Sequence, residues 1–241
     1  MSTAHITEEL FREDATLLEC RATVLAVDER GVMLDRTVFY PQGGGQAGDA
    51  GALWLDDGST LAIIDTRKAP PNGIAHVFAP GTDLSRFTPG TRVTARIDEK
   101  RRRAHMRFHT STHLLCALIP HAVDGCSITA TYARLDFHMT EPLDKEAINA
   151  GLARLVQEAH AVRHRWITEA ELDANPQMVR SMSVQPPRGQ GRIRVLEIEG
   201  VDVQPCGGTH VSNTAEIGRI IVTKIEKKSA STRRVVLGFA E

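Results

Sequence analysis

The chain has 241 residues, of which 41% are hydrophobic and 24% are charged, a composition typical of a globular protein rather than a disordered one. Its formal net charge of −1 excludes the strong positive field that marks many nucleic-acid binders, and its four cysteines are too few for a disulfide framework. No apolar run approaches the roughly 18 residues needed to cross a bilayer. The N-terminus is acidic and polar, unlike a signal peptide, so we expect a cytoplasmic location without membrane association.

The first part of the chain has the pattern of short strands separated by turns. Turn signals include Asp57-Gly58 and Pro89-Gly90, and no helical period appears between them. The predicted strands are 17–28, 31–41, 51–57, 61–68, 74–79 and 92–98. Evenly spaced strands of this kind predict a small β-barrel or sandwich.

The pattern changes at Asp98, which is a candidate N-cap for a helix that runs without a breaker to Pro120. A second helix is predicted over 145–164, capped by Asp144, with an apolar stripe formed by Ile148, Leu152, Leu155, Ala159 and Val162. Further strands and a Pro/Gly-rich loop at 184–192 follow. The predicted fold class is α+β, with a β-barrel domain at 1–94 that carries a glycine-rich loop, and an α+β domain at 95–241 whose helices pack on a mostly antiparallel sheet.

Two pairs of residues have the spacing of metal ligands. His109 and His113 lie at i and i+4 of the first predicted helix, so both rings project from one face. Cys206 and His210 have the same separation, and the two glycines between them allow a sharp turn. Three imidazoles and one thiolate suit tetrahedral Zn²⁺. Such a site joins distant parts of the chain and could be structural, catalytic or both.

The spacing also excludes two familiar zinc sites. A protease of the HExxH type needs a glutamate directly after its first histidine, where this chain has Thr110. A classical zinc finger needs its ligand pairs about a dozen residues apart, whereas here almost a hundred residues separate them.

Three motifs in order resemble those of a known family. They are "TVFYPQGGGQAGDAG" at 37–51, "HTSTH" at 109–113 and "QPCGGTHVSNTAEIG" at 204–218. Together they resemble the editing domain of alanyl-tRNA synthetases, and more closely the free-standing alanyl-tRNA editing proteins called AlaX, in the medium-length form that keeps an N-terminal barrel. The resemblance covers nearly the whole chain.

The resemblance implies a zinc-dependent deacylase that acts on alanine tRNA carrying serine and, in some members of the family, glycine. It implies that zinc is bound by His109, His113, Cys206 and His210. The predicted nucleophile is a zinc-bound water, and no protein base is identified. The expected partner is tRNA(Ala), and a monomer is expected although the sequence does not determine the oligomeric state.

The serine hydroxyl must be read by a polar group, because a pocket discriminates such pairs well only when it hydrogen-bonds the extra group. Relatives place that group in the segment where this chain has Ser127, Thr129 and Thr131. These hydroxyls could instead bond their own backbone. The glycine-rich loop is predicted to position substrate near the active site, through Gly43, Gly44, Gly45 and Gln46; the alternative is a tight turn between domains.

A basic cluster lies just before His109 on the first predicted helix. Its members are Lys100, Arg101, Arg102, Arg103 and Arg107. Charge runs are usually solvated faces, but beside a site that accepts the end of a tRNA, phosphate contact is the better prediction.

Two other functions compete with the editing hydrolase. The first is an RNA-binding module whose zinc is purely structural, without hydrolytic activity. The second is a metal-dependent hydrolase of small esters. The related editing domain of threonyl-tRNA synthetases, which acts on seryl-tRNA(Thr), shares the metal pattern and is the nearest alternative of the same class.

Overall fold

The computed structural model describes residues 6–182, 185–186, 188–189 and 191–240. The chain divides into two compact units. One unit is Met1–Gly43 with Ala47–Arg103, and the other is Gly44–Gln46 with Ala104–Glu241. Part of the predicted Pro/Gly-rich loop at 184–192 lies outside the described residues.

The first unit is built around a closed barrel. The strands of this unit are β1 (Glu8–Glu9), β2 (Glu19–Asp28), β3 (Gly31–Leu34), β4 (Arg36–Thr37), β5 (Gly51–Leu55), β6 (Thr60–Ala69), β7 (Gly73–Phe78) and β8 (Arg92–Ile97). Six of them close in the order β2-β3-β7-β6-β5-β8, while β1 pairs in parallel with β4. The side chains that face inward are apolar, and Leu34, Phe39 and Leu53 are fully buried. The barrel predicted from the strand pattern is confirmed.

The helix α1 (Glu99–Leu118) follows the barrel. The Asp98 carboxylate accepts a hydrogen bond from the backbone N–H of Arg101 at 3.1 Å, as expected of an N-cap. The division between the two units falls within this helix, between Arg103 and Ala104. The domain boundary at 94/95 stays a prediction.

Among its described residues, the second unit contains two antiparallel sheets, two further α-helices and two 3₁₀ helices at Pro176–Met178 and Thr214–Ile217. Its elements are β9 (Val123–Ile128), β10 (Ala133–His138), α2 (Lys145–Gln157), β11 (Val162–Ile167), α3 (Glu169–Asp173), β12 (Ile193–Ile198), β13 (Asp202–Pro205), β14 (Ile220–Ser229) and β15 (Thr232–Phe239). The sheet orders are β14-β15-β10-β9 and β11-β12-β13. The predicted α+β class with antiparallel sheets is confirmed.

The second helix ends earlier than the sequence predicted. Asp144 caps α2 as expected, with its carboxylate accepting from two backbone N–H groups. The helix stops at Gln157 because the chain turns at Ala159, whose φ is +56°, and residues 162–167 then pair with β12. The prediction of helix over 158–164 was therefore wrong, and Val162 belongs to a strand. Among the described residues, no helix is long and apolar enough to span a membrane.

Candidate metal centre

The helix α1 carries the first two candidate ligands. His109 and His113 are both buried, and the centres of their rings lie 5.6 Å apart. Their separation of four residues places the two rings one above the other on the same face of the helix. They therefore leave α1 at neighbouring points and face the same region of the second unit.

The turn after β13 carries the other two candidate ligands. It is held by Arg194 of β12, whose Nη1 donates to the carbonyl oxygen of Cys206 at 2.9 Å and to that of Gly208 at 3.2 Å. The backbone N–H of Cys206 in turn donates to the carbonyl of Arg194 at 3.1 Å. These bonds fix the turn, so Cys206 and His210 have defined positions.

The four side chains converge on one point. The ligand atoms of His109, His113, Cys206 and His210 all lie within 4.8 Å of one another. The Cys206 Sγ is 3.5 Å from His109 Nε2 and 3.2 Å from His210 Nε2. The spacing predicted from the sequence is therefore realised in space, and this group could hold a metal ion. A set of three imidazoles and one thiolate fits Zn²⁺ by its chemistry.

Two of the imidazoles also use their second nitrogen within the second unit. His113 Nδ1 lies 3.1 Å from Asp202 Oδ2, and His210 Nδ1 lies 3.3 Å from Thr110 Oγ1. A carboxylate only accepts hydrogen bonds, and Thr110 Oγ1 already donates its own proton to the carbonyl of Met106. Both Nδ1 atoms are therefore protonated donors. Metal-binding histidines are usually oriented in this way, and it leaves each Nε2 lone pair for a metal.

The third imidazole is held by the glycine-rich segment. His109 Nδ1 lies 2.7 Å from the side-chain oxygen of Gln46. Gln46 is fully buried and pairs with Ile128 of β9. It was predicted to contact substrate, and in the structure its amide contacts a candidate ligand.

Electrostatics favour a thiolate at this site. Burial alone would raise the pKa of Cys206, but the neighbouring His109 and His210 outweigh burial and hold that pKa well below its ordinary value. Burial also lowers the pKa of His113, but hydrogen bonds with Asp202 and Cys206 raise it overall to about 10. Burial lowers the pKa of His210 to about 3. A bound cation would displace any proton from the ligand atoms, because metal ligands bind in their deprotonated form.

Of the three predicted hydroxyl groups, that of Ser127 lies on β9, and those of Thr129 and Thr131 lie at the turn between β9 and β10. Thr129 Oγ1 donates to the carbonyl of Tyr132 at 3.0 Å and accepts from the backbone N–H of Thr131, so it bonds local backbone. Thr131 is exposed. Ser127 lies opposite Arg134 of β10, whereas its neighbour Cys126 lies opposite the buried Leu135. Because side chains alternate along a strand, the side chains of Ser127 and Cys126 lie on opposite faces of the sheet β14-β15-β10-β9.

The predicted glycines differ in their surroundings. Gly45 has a φ of +87°, and a Cβ there would lie 2.8 Å from Cys126 Sγ. Its carbonyl accepts from the backbone N–H of Ile128 at 2.8 Å, which ties this segment to β9. Gly44 has a φ of +58°. Gly43, which belongs to the first unit, accepts from the hydroxyl of Tyr40 at 2.8 Å. The glycines at 44 and 45 are thus required by the backbone conformation.

The basic cluster is only partly exposed. Arg102 is 1% exposed and forms an ion pair with the buried Asp49, so its guanidinium is not accessible to a tRNA phosphate. Its inclusion in the predicted tRNA contact is corrected on this ground. Arg101 donates to the carbonyl of Gly48, and Arg107 donates to that of Ile217 while it stacks on the ring of Phe239. The exposed members of the cluster are Lys100 and Arg103.

Sequence reasoning missed the groups that hold the ligands. Asp202, Thr110 and Arg194 carry no motif that identifies them, although Asp202 lies four residues before Cys206 and Thr110 directly follows His109. A search for hydrogen-bond acceptors near each predicted ligand could have found the first two. Arg194 acts on backbone carbonyls of a distant turn, and nothing in the sequence points to that contact.

Two family models match the chain. Residues 193–236 match the model described as threonyl and alanyl tRNA synthetase second additional domain. Residues 7–101 match the model described as tRNA synthetases class II (A). The first match ends inside β15 and begins with β12, so it covers the turn that carries Cys206 and His210.

Curated relatives match over nearly the full chain. An alanyl-tRNA editing protein AlaX-M of Methanosarcina acetivorans is 34% identical over 95% of this chain and 98% of its own length. The AlaX-M protein of Methanosarcina mazei is 33% identical over 98% of each chain. An alanine–tRNA ligase of Pyrococcus furiosus is 35% identical over 98% of this chain, which spans only 26% of that ligase.

Proposed function

Because the chain belongs to the family of alanyl-tRNA editing proteins of the AlaX-M type, we propose that it is a deacylase that hydrolyses the ester bond of mischarged alanine tRNA. The proposed substrates are seryl-tRNA(Ala) and glycyl-tRNA(Ala), and the proposed metal is zinc. The observation that carries the proposal is the convergence of His109, His113, Cys206 and His210, whose ligand atoms lie within 4.8 Å of one another.

For hydrolysis of the aminoacyl ester, the main task of the protein is to position the reacting groups. An aminoacyl ester is already activated, so its hydrolysis requires a positioned water and stabilisation of the carbonyl oxygen. Zinc, when bound by these residues, supplies a Lewis acid for that oxygen. The chain's own contribution is to hold the ligands rigidly, through Arg194 on the turn and Asp202 and Thr110 on the imidazoles.

A second candidate function rests on the number of ligands. Four protein ligands are typical of closed structural zinc sites, whereas catalytic zinc usually has three and a water. Three of the four residues are buried histidines, which also suits a structural ion. The chain would then be an RNA-binding module whose zinc stabilises the second unit without hydrolysing the ester.

The proposed tRNA contact involves the exposed residues Lys100 and Arg103 at the start of α1. Both charges can reach solvent, as phosphate contact requires. The assignment of the serine hydroxyl to Ser127, Thr129 or Thr131 stays a prediction, as does a cytoplasmic, monomeric protein.

A deacylation panel tests the proposal. Zinc-loaded protein is incubated with seryl-, glycyl- and alanyl-tRNA(Ala) and with seryl-tRNA(Thr). We expect hydrolysis of seryl-tRNA(Ala) with alanyl-tRNA(Ala) left intact. Cys206→Ser should lose this activity, whereas Cys20→Ser, which changes a half-buried thiol of the barrel, should keep it.

The other outcomes identify the alternatives. Tight binding of tRNA(Ala) without hydrolysis of any of its mischarged forms would support the RNA-binding module. Faster hydrolysis of seryl-tRNA(Thr) than of seryl-tRNA(Ala) would indicate the threonine type. Equal turnover of free seryl esters and seryl-tRNA(Ala) would indicate a hydrolase of small esters.

A further inference from the structure

We propose that Gln46 is a positioning residue that fixes the tautomer and the orientation of the His109 imidazole, so that Nε2 of His109 faces the metal centre. The inference rests on the proposed metal site and is independent of the tRNA substrate. The expectation from sequence that Gln46 contacts the substrate stays a prediction.

The side-chain amide of Gln46 makes three hydrogen bonds inside the second unit. Its Oε1 lies 2.7 Å from His109 Nδ1 and 3.2 Å from the backbone nitrogen of Thr209, and its Nε2 lies 2.9 Å from Thr209 Oγ1. Gln46 and Thr209 are both fully buried. The amide therefore joins one ligand of α1 to the turn that carries the other two, Cys206 and His210.

These hydrogen bonds determine which way the amide points. The oxygen and nitrogen of a glutamine are distinguished by their hydrogen-bond partners. The backbone nitrogen of Thr209 can only donate, so the atom that faces it must be Oε1. The same Oε1 faces His109 Nδ1, so that nitrogen must carry the proton.

The tautomer of His109 follows from this assignment. A neutral imidazole protonated at Nδ1 has its lone pair at Nε2, and Nε2 is the atom that lies 3.5 Å from Cys206 Sγ. Asp202 and Thr110 impose the same tautomer on His113 and His210. Gln46 thus completes a set in which all three lone pairs are available to one ion.

The backbone around Gln46 keeps its amide in place. Gly45, at a φ of +87°, accepts a hydrogen bond from Ile128 through its carbonyl, and Gln46 itself forms a parallel bridge with Ile128. On the other side, a Cβ on Gly208 would lie 3.0 Å from Gln46 Oε1. The amide is thus held by its hydrogen bonds to His109 and Thr209 and lies directly beside Gly208.

The test compares Gln46→Met, which keeps the length of the side chain and removes the acceptor, with Gln46→Glu, which keeps an acceptor. The matched control is Gln42→Met, which changes an exposed glutamine of the same segment. Zinc affinity is measured by competition with a chelator, and the absorption spectrum of the Co²⁺-loaded protein reports the ligand geometry.

Removal of an outer hydrogen-bond partner typically weakens metal affinity by about 10–100-fold. We therefore expect a loss in that range for Gln46→Met with an altered Co²⁺ spectrum, little loss for Gln46→Glu, and none for Gln42→Met. Unchanged zinc affinity and an unchanged Co²⁺ spectrum in Gln46→Met would overturn the inference.

A second measurement does not need a stable variant. The ¹⁵N chemical shifts of the His109 ring in zinc-loaded wild-type protein show which ring nitrogen carries the proton and which one binds the metal, and we expect the proton on Nδ1. A proton on Nε2 with Nδ1 on the metal would refute the role of Gln46 even if Gln46→Met does not fold. Bound zinc with the proton on Nδ1, but no hydrolysis of mischarged tRNA(Ala), would instead refute the proposed function and leave the role of Gln46 standing.

Discussion

Gly208 lies against the imidazole of His109, where a larger residue does not fit. A Cβ at this position would be 2.1 Å from His109 Cε1 and 2.3 Å from Nδ1. Overpacking of this kind typically costs about 1–3 kcal/mol. Gly208→Ala should therefore displace the ring and weaken zinc binding about tenfold or more, since about 1.4 kcal/mol is a factor of ten.

The neighbouring glycine provides the control for this prediction. Gly207 is exposed whereas Gly208 is buried, so Gly207→Ala should bind zinc about as the wild type does. Competition with a chelator measures both variants. Equal zinc affinity for Gly208→Ala and the wild type would show that the ring has room to move and that the turn does not constrain it.

At the scale of single residues, the sequence predicts the candidate metal ligands better than the side chains that form hydrogen bonds with them. The separation of four residues in each pair indicated that the two pairs could share one ion, and the resemblance to the editing family implied the same four ligands. Asp202 and Thr110 lie near predicted ligands in sequence, but the imidazoles that they contact, His113 and His210, could not be assigned to them, because those contacts depend on the fold and on the rotation of each ring. Gln46 was named, but for substrate contact, since only the structure places its amide beside His109.

The first turns of α1 carry both buried and exposed basic side chains. Arg102 is buried against Asp49, whereas Lys100 and Arg103 are exposed. Charge reversal at the exposed positions, Lys100→Glu and Arg103→Glu, should weaken tRNA binding. It should also reduce the slope of log K against log salt by about 1 for each tRNA phosphate that the protein no longer neutralises. Filter binding at several salt concentrations measures this slope.

An exposed arginine on another element separates this effect from that of net charge alone. Arg163 lies on β11 and is also exposed, so Arg163→Glu changes the total charge equally and should leave the slope unchanged. If Lys100→Glu and Arg103→Glu bind tRNA as Arg163→Glu does, the start of α1 is only a solvated surface.

Strands and helices with a clear hydrophobic pattern were predicted well, whereas the residues at which they end were predicted less well. All six barrel strands were found because each is a short apolar run between turn residues. The end of α2 was missed because Ala159 and Val162 continue the apolar period of the helix. The chain leaves the helix there since residues 162–167 pair with β12, and that long-range pairing outweighs local propensity.

For the molecule as a whole, acid sensitivity is expected from a buried histidine of the barrel. His76 is fully buried, with Nε2 2.8 Å from Thr37 Oγ1 and Nδ1 2.9 Å from the carbonyl of Val32. Burial lowers its pKa from 6.5 to about 4. The unfolded chain therefore takes up a proton near pH 6.5, whereas the folded protein does so only near pH 4.

This difference between the unfolded and folded pKa of His76 determines the direction in which stability changes with pH. Stability from neutral His76 is fully present above pH 6.5 and is lost as the pH falls from 6.5 to about 4, by up to about 3 kcal/mol. Urea unfolding at several pH values should show this fall in the wild type. His76→Gln, although less stable at neutral pH, should show a smaller fall over that interval; an equal fall would assign it to other groups.

The fold class followed from the order of the predicted elements, because a run of strands followed by mixed helices and strands is typical of an α+β chain. The division of the residues into two compact units could not be predicted from that order. Residues 44–46 group with the second unit although the barrel surrounds them in sequence. That grouping depends on contacts such as those of Gln46 with His109 and Thr209, which no local pattern encodes.

The dependence of seryl-tRNA(Ala) hydrolysis on zinc tests the account most directly. The rate is measured for zinc-loaded protein, for the same protein after the metal is removed with a chelator, and after zinc is restored, with circular dichroism to confirm the fold at each stage. Hydrolysis should be lost with the metal and recovered with it, and Cys206→Ser should not recover. A folded, metal-free protein that hydrolyses seryl-tRNA(Ala) at the full rate, or a zinc-loaded protein that leaves it intact, would contradict the account.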